Sequence, residues 1–472
     1  MSATSPSQQA LFSALPNIID TPTNKTDCPR CRLLPVPEGQ RYLPNPYEQD
    51  YISLTFSAQE ANELAEPILA ELDDCYQNRF LTSSDNQQMT NKSVYTGLGG
   101  IAYAYLRLAR QCSGRDSTRS DYLHYLRRAR DLAVTSLEDD KFQSRHWGIS
   151  VSFYIGAPGC FAIACVAASL LGEKTLACML WKQLLQFEDC AIHNGEVDEL
   201  LFGKAGYIYS LLFVQSWLEK EESKCFNPIH PRGLNGVLQR VARALIDSGR
   251  KQSRRHGHER DGWPLMYSFQ ESLHLGAAHG LVGVLKMLYL CWGLLDVESR
   301  QLVRKTLARL LQSRFPSGNL PHIVGSTTDK LVHWCHGSPG LPALLKVAIA
   351  ADVEHNDMLR LAALQAGEHI WRYGVLLKGN GLCHGIAGNG YAFLSLYQLT
   401  GDRVHLQKAK AFAKLLANQQ VQSAVSQQPD KQRKVVGTPN SPQSLMEGSA
   451  GVLCFLLDLT KPEAAAFPGW EL

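Results

Sequence analysis

The chain has 472 residues, of which 45% are hydrophobic and 19% charged, and its 47 basic and 44 acidic side chains give a net charge of +3. This composition is typical of a folded chain with a large core and excludes extensive disorder. The balanced charge argues against nucleic-acid binding, which needs a concentrated basic surface. The first residues show neither a secretory signal nor a myristoylation site, and the 13 cysteines are an odd number. These features predict a protein of the reducing cytoplasm.

Residues 1–38 are rich in Ser, Thr, Pro, Asn and Gln, so we expect them to form a flexible tail. The tail contains Cys28 and Cys31, a Cys-x-x-Cys pair without a second pair near it. We interpret this pair as incidental rather than as a metal or redox site. Residues 39–472 are predicted to form one domain.

A repeated Gly-x-x-Gly pair organises this domain. The chain has eight such pairs, where chance gives about three, and seven of them directly precede a short and almost wholly apolar stretch. The eighth, Gly233–Gly236, precedes a charged amphipathic stretch and is left out of the series. The first glycines of the seven repeats are Gly97, Gly156, Gly203, Gly280, Gly337, Gly385 and Gly448.

Helical patterns of a second kind lie between the apolar stretches. Residues 299–314 place leucines on one stripe and basic residues opposite, and residues 121–137, 237–248, 357–373 and 402–417 show the same amphipathic pattern. A helix that is apolar all round must be buried on every side. Seven apolar helices in an inner ring, surrounded by seven amphipathic ones, meet this requirement. The sequence therefore predicts an all-α fold, an (α/α)7 double-ring toroid.

Seven apolar segments are also typical of a seven-helix membrane receptor. Residues 149–172 contain no charged residue, but Gly156, Pro158 and Gly159 interrupt them. The other apolar segments have roughly 8–14 residues, whereas a bilayer span needs about 20. The double ring is therefore the preferred interpretation.

Two consecutive repeats carry Cys-His directly before the first glycine. These are Cys335-His336 and Cys383-His384, and His279 occupies the matching place in the preceding repeat. Equivalent positions of a toroid face the same central space, so we expect the two thiols and one or more of the imidazoles to converge. Such a set suits tetrahedral Zn²⁺ and leaves a fourth position open. A structural zinc closed by His279 or His336, water activation for hydrolysis, and simple packing at the ring centre are the alternatives.

An open zinc with two cysteine ligands keeps an incoming thiol in its thiolate form. The chemistry natural to that thiolate is alkylation or addition to an electron-poor alkene. A nearby acid then protonates the resulting enolate.

The chain resembles the lanthionine synthetase C-like (LanC-like) family, in particular its eukaryotic branch. The resemblance covers about nine tenths of the chain and includes the seven glycine turns. The motifs that carry it are QRYLPNPY (40–47), FPSGNLP (315–321), LVHWCHGSPG (331–340), GLCHGIAGNGYAFLSLY (381–397), SLMEGSAG (444–451) and FPGWEL (467–472).

The resemblance implies an (α/α)7 barrel with zinc on Cys335, Cys383 and His384. Bacterial members of the family cyclise lanthipeptides by adding cysteine thiols to dehydroalanine or dehydrobutyrine. Eukaryotic members bind glutathione, whose thiol takes the open position on zinc. They are thought to add it to dehydroamino acids that remain in proteins when phosphoserine or phosphothreonine loses phosphate.

Three further residues acquire catalytic roles through the resemblance. His279 matches the active-site histidine and is the expected proton donor to the enolate. Glu199 occupies the place of a catalytic Asp in bacterial cyclases, although an acid in the first turn of a helix is also a common stabilising feature. His336 follows a zinc ligand where bacterial cyclases have Tyr, and is expected to act in acid–base chemistry or to orient Cys335.

Arg41 and Lys378 match cationic positions that contact glutathione in the family. A tripeptide with two carboxylates needs such partners. One position departs from the family, because Gly437 stands where relatives have an Arg that holds glutathione. Loss of a charge-assisted contact weakens binding by about 1.5–3 kcal/mol.

We therefore predict a zinc-dependent protein that adds the glutathione thiol to dehydroalanine and dehydrobutyrine residues of proteins, including former phosphoproteins such as kinases. The alternative is a non-catalytic glutathione-binding adaptor or signalling protein with a structural zinc. We expect no integral membrane segment and no nucleic-acid partner. The expected location is the cytoplasm, with the nucleus and the surface of the plasma membrane as further locations.

Overall fold

The computed structural model describes most of the chain after residue 40. The predicted tail at 1–38, with Cys28 and Cys31, and the predicted departure at Gly437 lie outside the described residues. The described residues are 41–77, 91–112, 119–138, 150–193, 195, 197–220, 227–229, 231–352, 354, 356–426 and 441–472.

The described residues form α-helices joined by turns, and no β-strand occurs among them. In chain order the helices are α1 Ala58–Asp74, α2 Leu98–Cys112, α3 Arg119–Ser136, α4 Ala157–Leu171, α5 Lys174–Leu185, α6 Glu188–His193, α7 Lys204–Lys220, α8 Pro231–Arg255, α9 Leu281–Leu290, α10 Val297–Gln312, α11 Leu341–Ala351, α12 Asn356–Tyr373, α13 Ile386–Thr400, α14 Arg403–Ala417, α15 Gln419–Ser426 and α16 Ser449–Leu459. Short 3-10 helices lie at Tyr51–Ser53, Trp292–Leu294, Ser338–Gly340 and Pro462–Ala464.

Seven apolar helices form a closed inner ring. Each contacts the next along the chain, and the last of them, α16, returns to contact the first, α2. All seven begin within or directly after a predicted glycine pair, so the predicted all-α double ring is confirmed. No helix in the described part of the chain has both the length and the apolar character needed to cross a bilayer. The inner helices are α2, α4, α7, α9, α11, α13 and α16.

An outer layer of amphipathic helices surrounds this ring. Five of them coincide with the segments predicted from the sequence, namely α3, α8, α10, α12 and α14. Two more, α1 and α5, complete the layer: α1 packs on α16, and α5 packs on α4. Gly233 and Gly236 lie in the first two turns of the outer helix α8, which explains why that pair opens no apolar helix.

The outer and inner helices begin differently. The outer helix α1 starts with a capping box, in which the Ser57 hydroxyl accepts from Glu60 N at 3.1 Å and the Glu60 carboxylate accepts from Ser57 N at 2.7 Å. The inner helix α13 has no side-chain cap. Its first N–H groups donate instead to carbonyls of the preceding turn, with Ile386 N at 3.1 Å from Gly379 O. The turn itself therefore satisfies the start of an inner helix.

The second glycine of each pair permits a close approach within this turn. A Cβ atom at Gly388 would overlap the carbonyl oxygen of Leu382, six residues earlier, and the second glycines of five other repeats face the equivalent carbonyl. The glycines are thus required mainly because the turn folds back on its own helix, rather than because neighbouring helices touch.

Backbone hydrogen bonds join the turns of successive repeats at one end of the barrel. Cys335 N donates to Cys383 O at 3.3 Å, and Cys383 N donates to Met446 O at 2.8 Å. The series continues from Met446 N to Tyr95 O at 3.0 Å and from Tyr95 N to Tyr154 O at 2.9 Å. These bonds hold residues from distant parts of the sequence side by side, and this end of the ring carries the candidate site.

The last residues of the chain pack against the inner helices. The Tyr154 hydroxyl donates to Pro468 O at 2.7 Å, and the Tyr209 hydroxyl donates to Glu471 O at 2.9 Å. The Phe467 ring stacks on Trp334, with ring centroids 5.1 Å apart. Because Trp334 precedes Cys335, the carboxyl-terminal segment supports the turn that carries a candidate metal ligand.

Candidate metal centre

The structure brings Cys335, Cys383 and His384 together at the linked turns. Their ligand atoms, two sulfurs and one imidazole nitrogen, all lie within 4.8 Å of one another. Bonds of about 2.3 Å to a tetrahedral ion place ligand atoms about 3.8 Å apart, a spacing that lies within this limit. The two cysteines are only 7% and 3% exposed, whereas His384 is partly exposed. Within the described residues, this is the one group of metal-ligating side chains so closely spaced.

The two thiols interact electrostatically. Burial raises the pKa of Cys383 well above its usual range. The hydrogen bond from Cys383 lowers the pKa of Cys335, and the positive charge of Lys378 acts in the same direction. Two hydrogen-bonded sulfurs next to an imidazole form a soft donor set that fits Zn²⁺.

Other cysteines of the described chain have a different environment. Burial raises the pKa of Cys160, Cys165, Cys291 and Cys454 to about 12 in each case. These thiols are free and fully buried. They behave as small core residues, in contrast to Cys335.

Two buried asparagines hold the loop that leads to Cys335. Asn319 accepts from Ser338 N at 2.9 Å through Oδ1 and donates to Leu331 O at 3.1 Å through Nδ2. Asn389 donates to Val332 O at 2.9 Å. Asn319 belongs to the FPSGNLP motif and Asn389 to the inner helix α13, so the ligand turn is fixed from two repeats.

Gly337 gives this turn its shape. Its φ of +104° lies in the region that favours glycine, and a Cβ atom there would overlap Leu331 O. This backbone conformation distinguishes the turn from that of repeat six, where Gly385 has a φ of −133°.

The residue directly before the first glycine is partly exposed in all seven repeats. The residue two positions before the first glycine is buried in six of the seven repeats. These two positions of the repeat therefore form two layers at the same end of the ring. One is a mainly buried layer that contains both cysteines, and the other is an accessible layer. The accessible layer consists of Thr96, Ile155, Phe202, His279, His336, His384 and Glu447.

His279 lies in the accessible layer and contacts Glu199. Its Nδ1 atom is 3.5 Å from Glu199 Oε2, and no group forms a hydrogen bond of normal geometry with this nitrogen. The His279 side chain is 19% exposed, whereas that of Glu199 is 2% exposed. Burial raises the pKa of Glu199, and His279 opposes this rise. The structure thus brings two of the three predicted catalytic residues into contact.

His336, the third predicted catalytic residue, lies next to His279, and their ring centroids are 6.0 Å apart. His274, which the sequence analysis did not single out, lies 5.4 Å from His336 and 5.8 Å from His279, so the three rings form a triangle. Burial lowers the pKa of His336 to about 3 and that of His274 to about 4, and the neighbouring imidazoles add to both effects. These two rings are therefore neutral at physiological pH.

Arg41 and Lys378 are exposed and lie close to one another. Leu377 N donates to Arg41 O at 3.1 Å, and this pairing of two distant segments sets Arg41 beside the loop of Lys378. The pKa of His333 is lowered well below its usual range, first by burial and then by the charges of Lys378, His384 and Arg41. The two cations therefore act on a residue beside the candidate metal ligands.

Tyr95 is a site residue that the sequence interpretation missed. It lies beside Cys383, and burial raises the pKa of its hydroxyl well above the usual range, with both cysteines adding to the rise. A signal was available, because Tyr95 occupies the same repeat position as Cys335 and Cys383.

Comparison with known proteins supports the family assignment. The model of the family described as "Lanthionine synthetase C-like protein" matches residues 88–472. The chain is 37% identical over 382 residues to "Glutathione S-transferase LANCL1" of Danio rerio, covering 80% of this chain and 84% of that protein. It is 31% identical over 401 residues to "LanC-like protein GCL1" of Arabidopsis thaliana, covering 83% of each chain.

A solved structure has the same fold. The chain titled "Nisin cyclase" superposes with a TM-score of 0.53 at 18% identity, covering 87% of this chain and 95% of that one. The all-α double ring is therefore a fold that this chain shares with that cyclase. The chain belongs to the lanthionine synthetase C-like family.

Proposed function

We propose that this chain is a zinc-dependent enzyme of the cytoplasm that binds glutathione and adds its thiol to dehydroalanine and dehydrobutyrine residues of proteins. The observation that carries the proposal is the cluster of Cys335, Cys383 and His384, with His279 and its carboxylate partner on the same rim. The similarity to a Danio rerio protein named as a glutathione S-transferase supports glutathione as the thiol.

Cys335, Cys383 and His384 would hold the metal. Bound zinc supplies a Lewis acid that keeps a thiol deprotonated at neutral pH. The backbone bond between Cys335 and Cys383 and the buried position of both sulfurs keep these ligands in place and exclude water from one side of the site.

The reaction needs one bond formed and one proton delivered. The glutathione sulfur attacks the β-carbon of the dehydroamino acid, a C–S bond forms, and the electron pair of the C=C bond moves towards the α-carbon and its carbonyl. His279 then gives a proton to the α-carbon and regains one from the proton that the thiol released, while Glu199, fixed near Nδ1, orients the imidazole. His336, which lies beside His279, is proposed to assist this proton transfer or to orient Cys335.

Arg41 and Lys378 are proposed to bind the carboxylates of glutathione. Both are exposed, and their charges already act on residues next to the metal ligands. Charge-assisted hydrogen bonds from two cations orient a dianionic tripeptide with its thiol towards the cluster.

The direct test incubates the purified protein with glutathione and a peptide that contains one dehydroalanine. Mass spectrometry follows the thioether adduct against the uncatalysed background. We expect adduct formation well above that background. Tight glutathione binding with no adduct above background would instead favour the adaptor with a structural zinc.

A metal measurement tests the ligand assignment separately. Cys383→Ser is expected to lose bound zinc and adduct formation while the ring still folds. The matched control is Cys454→Ser, which changes a buried cysteine of the inner helix α16 and should keep both zinc and activity. Retention of one zinc per chain by Cys383→Ser would contradict the assignment.

A further inference from the structure

A strained hairpin lies beside His279. Phe269 and Ser272 exchange two backbone hydrogen bonds of 2.9 and 3.0 Å around a two-residue tip. The tip residues Gln270 and Glu271 have φ angles of +48° and +61°, and in the described part of the chain they are the two residues other than glycine with positive φ. Such backbone persists where the surrounding structure holds it, and it occurs often at functional sites.

The hairpin places an aromatic ring on His279. The Phe269 and His279 rings are stacked, with centroids 4.5 Å apart and planes inclined by 9°. Phe202 lies nearly parallel to Phe269, at 5.5 Å and 16°. Phe269 therefore covers one face of the His279 imidazole while Glu199 faces its Nδ1 atom. These two contacts restrict the plane and the rotation of the ring.

A buried chain of hydrogen bonds anchors the hairpin. Ser268 donates to Gln252 Oε1 through its backbone N at 2.7 Å and through its hydroxyl at 2.9 Å. Gln252 is fully buried and donates to Asp198 Oδ2 at 2.7 Å. Asp198 precedes Glu199 in the sequence. One turn thus holds both the hairpin, through Gln252, and His279, through Glu199.

We propose that Phe269 is a positioning residue for His279, held over the imidazole by the strained tip. The inference rests on the proposed function, since it assigns proton delivery to His279. A proton reaches the α-carbon only when the donating nitrogen has the right direction and distance from it. A freely rotating imidazole has this orientation for only a small part of the time, so fixing the ring increases the rate of proton transfer. Phe269 itself transfers no proton and binds no metal, so it acts on turnover rather than on affinity.

The test compares Phe269→Leu, which keeps an apolar side chain but removes the stacked ring, with the conservative Phe269→Tyr. We expect Phe269→Leu to lower kcat about tenfold, with the KM of glutathione and of the peptide within about twofold and zinc content unchanged. Phe269→Tyr should keep kcat near that of the unmodified protein. Ser268→Ala, which loosens the anchor through one partly exposed residue, should lower kcat in the same direction by less.

The matched control is Trp292→Leu. Trp292 is also partly exposed and stacked, on Tyr289 at 5.0 Å and 18°, but it follows the opposite end of the inner helix α9. This variant should leave kcat unchanged. An equal loss of kcat in Trp292→Leu would show that loss of any stacked ring in this repeat is sufficient, and would overturn the proposal.

A spectroscopic measurement separates this proposal from the proposed function. In protein with ¹³C-labelled histidine, the His279 ring signals, identified through His279→Gln, should move in Phe269→Leu because the ring current of Phe269 is lost. They should keep their position in Trp292→Leu. Unmoved His279 signals in Phe269→Leu refute the positioning role. Absence of adduct with the unmodified protein refutes the proposed function, and the signals then still decide whether Phe269 orients His279.

Discussion

His279 Nδ1 lies 3.5 Å from Glu199 Oε2, and the Glu199 carboxylate is held independently of His279. Its two oxygens accept from Leu201 N at 2.6 Å and Phe202 N at 2.8 Å. The carboxylate is therefore a fixed reference point for the imidazole, because the turn of repeat three supplies its position.

Glu199→Gln tests this arrangement. A glutamine presents an NH₂ group to one of two backbone N–H donors, so a buried donor loses its partner and the free energy of unfolding should fall by about 1–3 kcal/mol. Adduct formation should slow while zinc is retained, since the ligands are untouched. Urea denaturation, metal analysis and kinetics measure the three effects. Glu298→Gln, which changes a largely exposed carboxylate, is the control and should alter none of them.

Gly337→Ala tests the backbone of the ligand turn. The substitution places a side chain at a φ of +104° and against Leu331 O, so the turn must move and zinc content should fall. Gly325→Ala is the matched control, because Gly325 also has a positive φ, +80°, but open space around it. The control should lose about 1 kcal/mol of stability and keep its zinc. Equal zinc content in the two variants would contradict a specific role for Gly337.

Lys378→Gln tests the glutathione contact. Lys378 is exposed, so we expect the KM for glutathione to rise by about tenfold, corresponding to one charge-assisted contact, with a smaller effect on kcat. The effect should shrink at high salt. Lys305→Gln on the outer helix α10 removes an exposed lysine of the outer layer and should leave the KM unchanged. An unchanged KM in Lys378→Gln would remove this residue from the proposed binding site.

His369 gives a pH dependence of stability that is separate from the metal ligands. Burial lowers the pKa of His369 from an ordinary 6.5 to about 4, with Asp329 opposing and Arg372 adding to the effect. Between these values the unfolded chain binds more protons than the folded one. The contribution of neutral His369 to the free energy of unfolding is therefore fully present above pH 6.5. It is lost as the pH is lowered towards 4, and the loss for this group is about 2–3 kcal/mol.

The measurement for His369 is the free energy of unfolding from pH 7.5 to 4.5. His369→Phe, which cannot bind a proton, should reduce the slope in this interval. His193→Phe changes a histidine whose side chain is 63% exposed and should leave the slope unchanged. Identical slopes in the His369 variant and the unmodified protein would show that other groups dominate.

The inner ring was predictable because a glycine pair marks the start of each inner helix. The outer helices α1 and α5 were not identified from the sequence. Only two residues, Gly172 and Glu173, separate α5 from the inner helix α4, so the apolar residues of the two helices form one stretch of sequence. Helix α1 contains Pro67, a residue typical of helix ends.

The part of the site that lies at equivalent positions of the repeats was predictable from the sequence. Equivalent positions in the repeats predict that Cys335, Cys383 and the histidines lie together. Tyr95 occupies the same repeat position as the two cysteines. The repeat position gives no information on the hairpin tip, since Gln and Glu are unusual in a turn that needs positive φ. Nor does it place Arg41 next to Lys378, because that proximity depends on backbone pairing between two distant segments.

The packing of Phe467 on Trp334 has a consequence for biosynthesis. The ligand turn leaves the ribosome more than a hundred residues before its aromatic support is translated. Until Phe467 is in place, Cys335 lies on a turn without this aromatic support, and Cys383 lies on a separate turn. We therefore expect the Cys335 turn to reach its final packing, and the candidate metal cluster its final geometry, only after residue 467 has been synthesised.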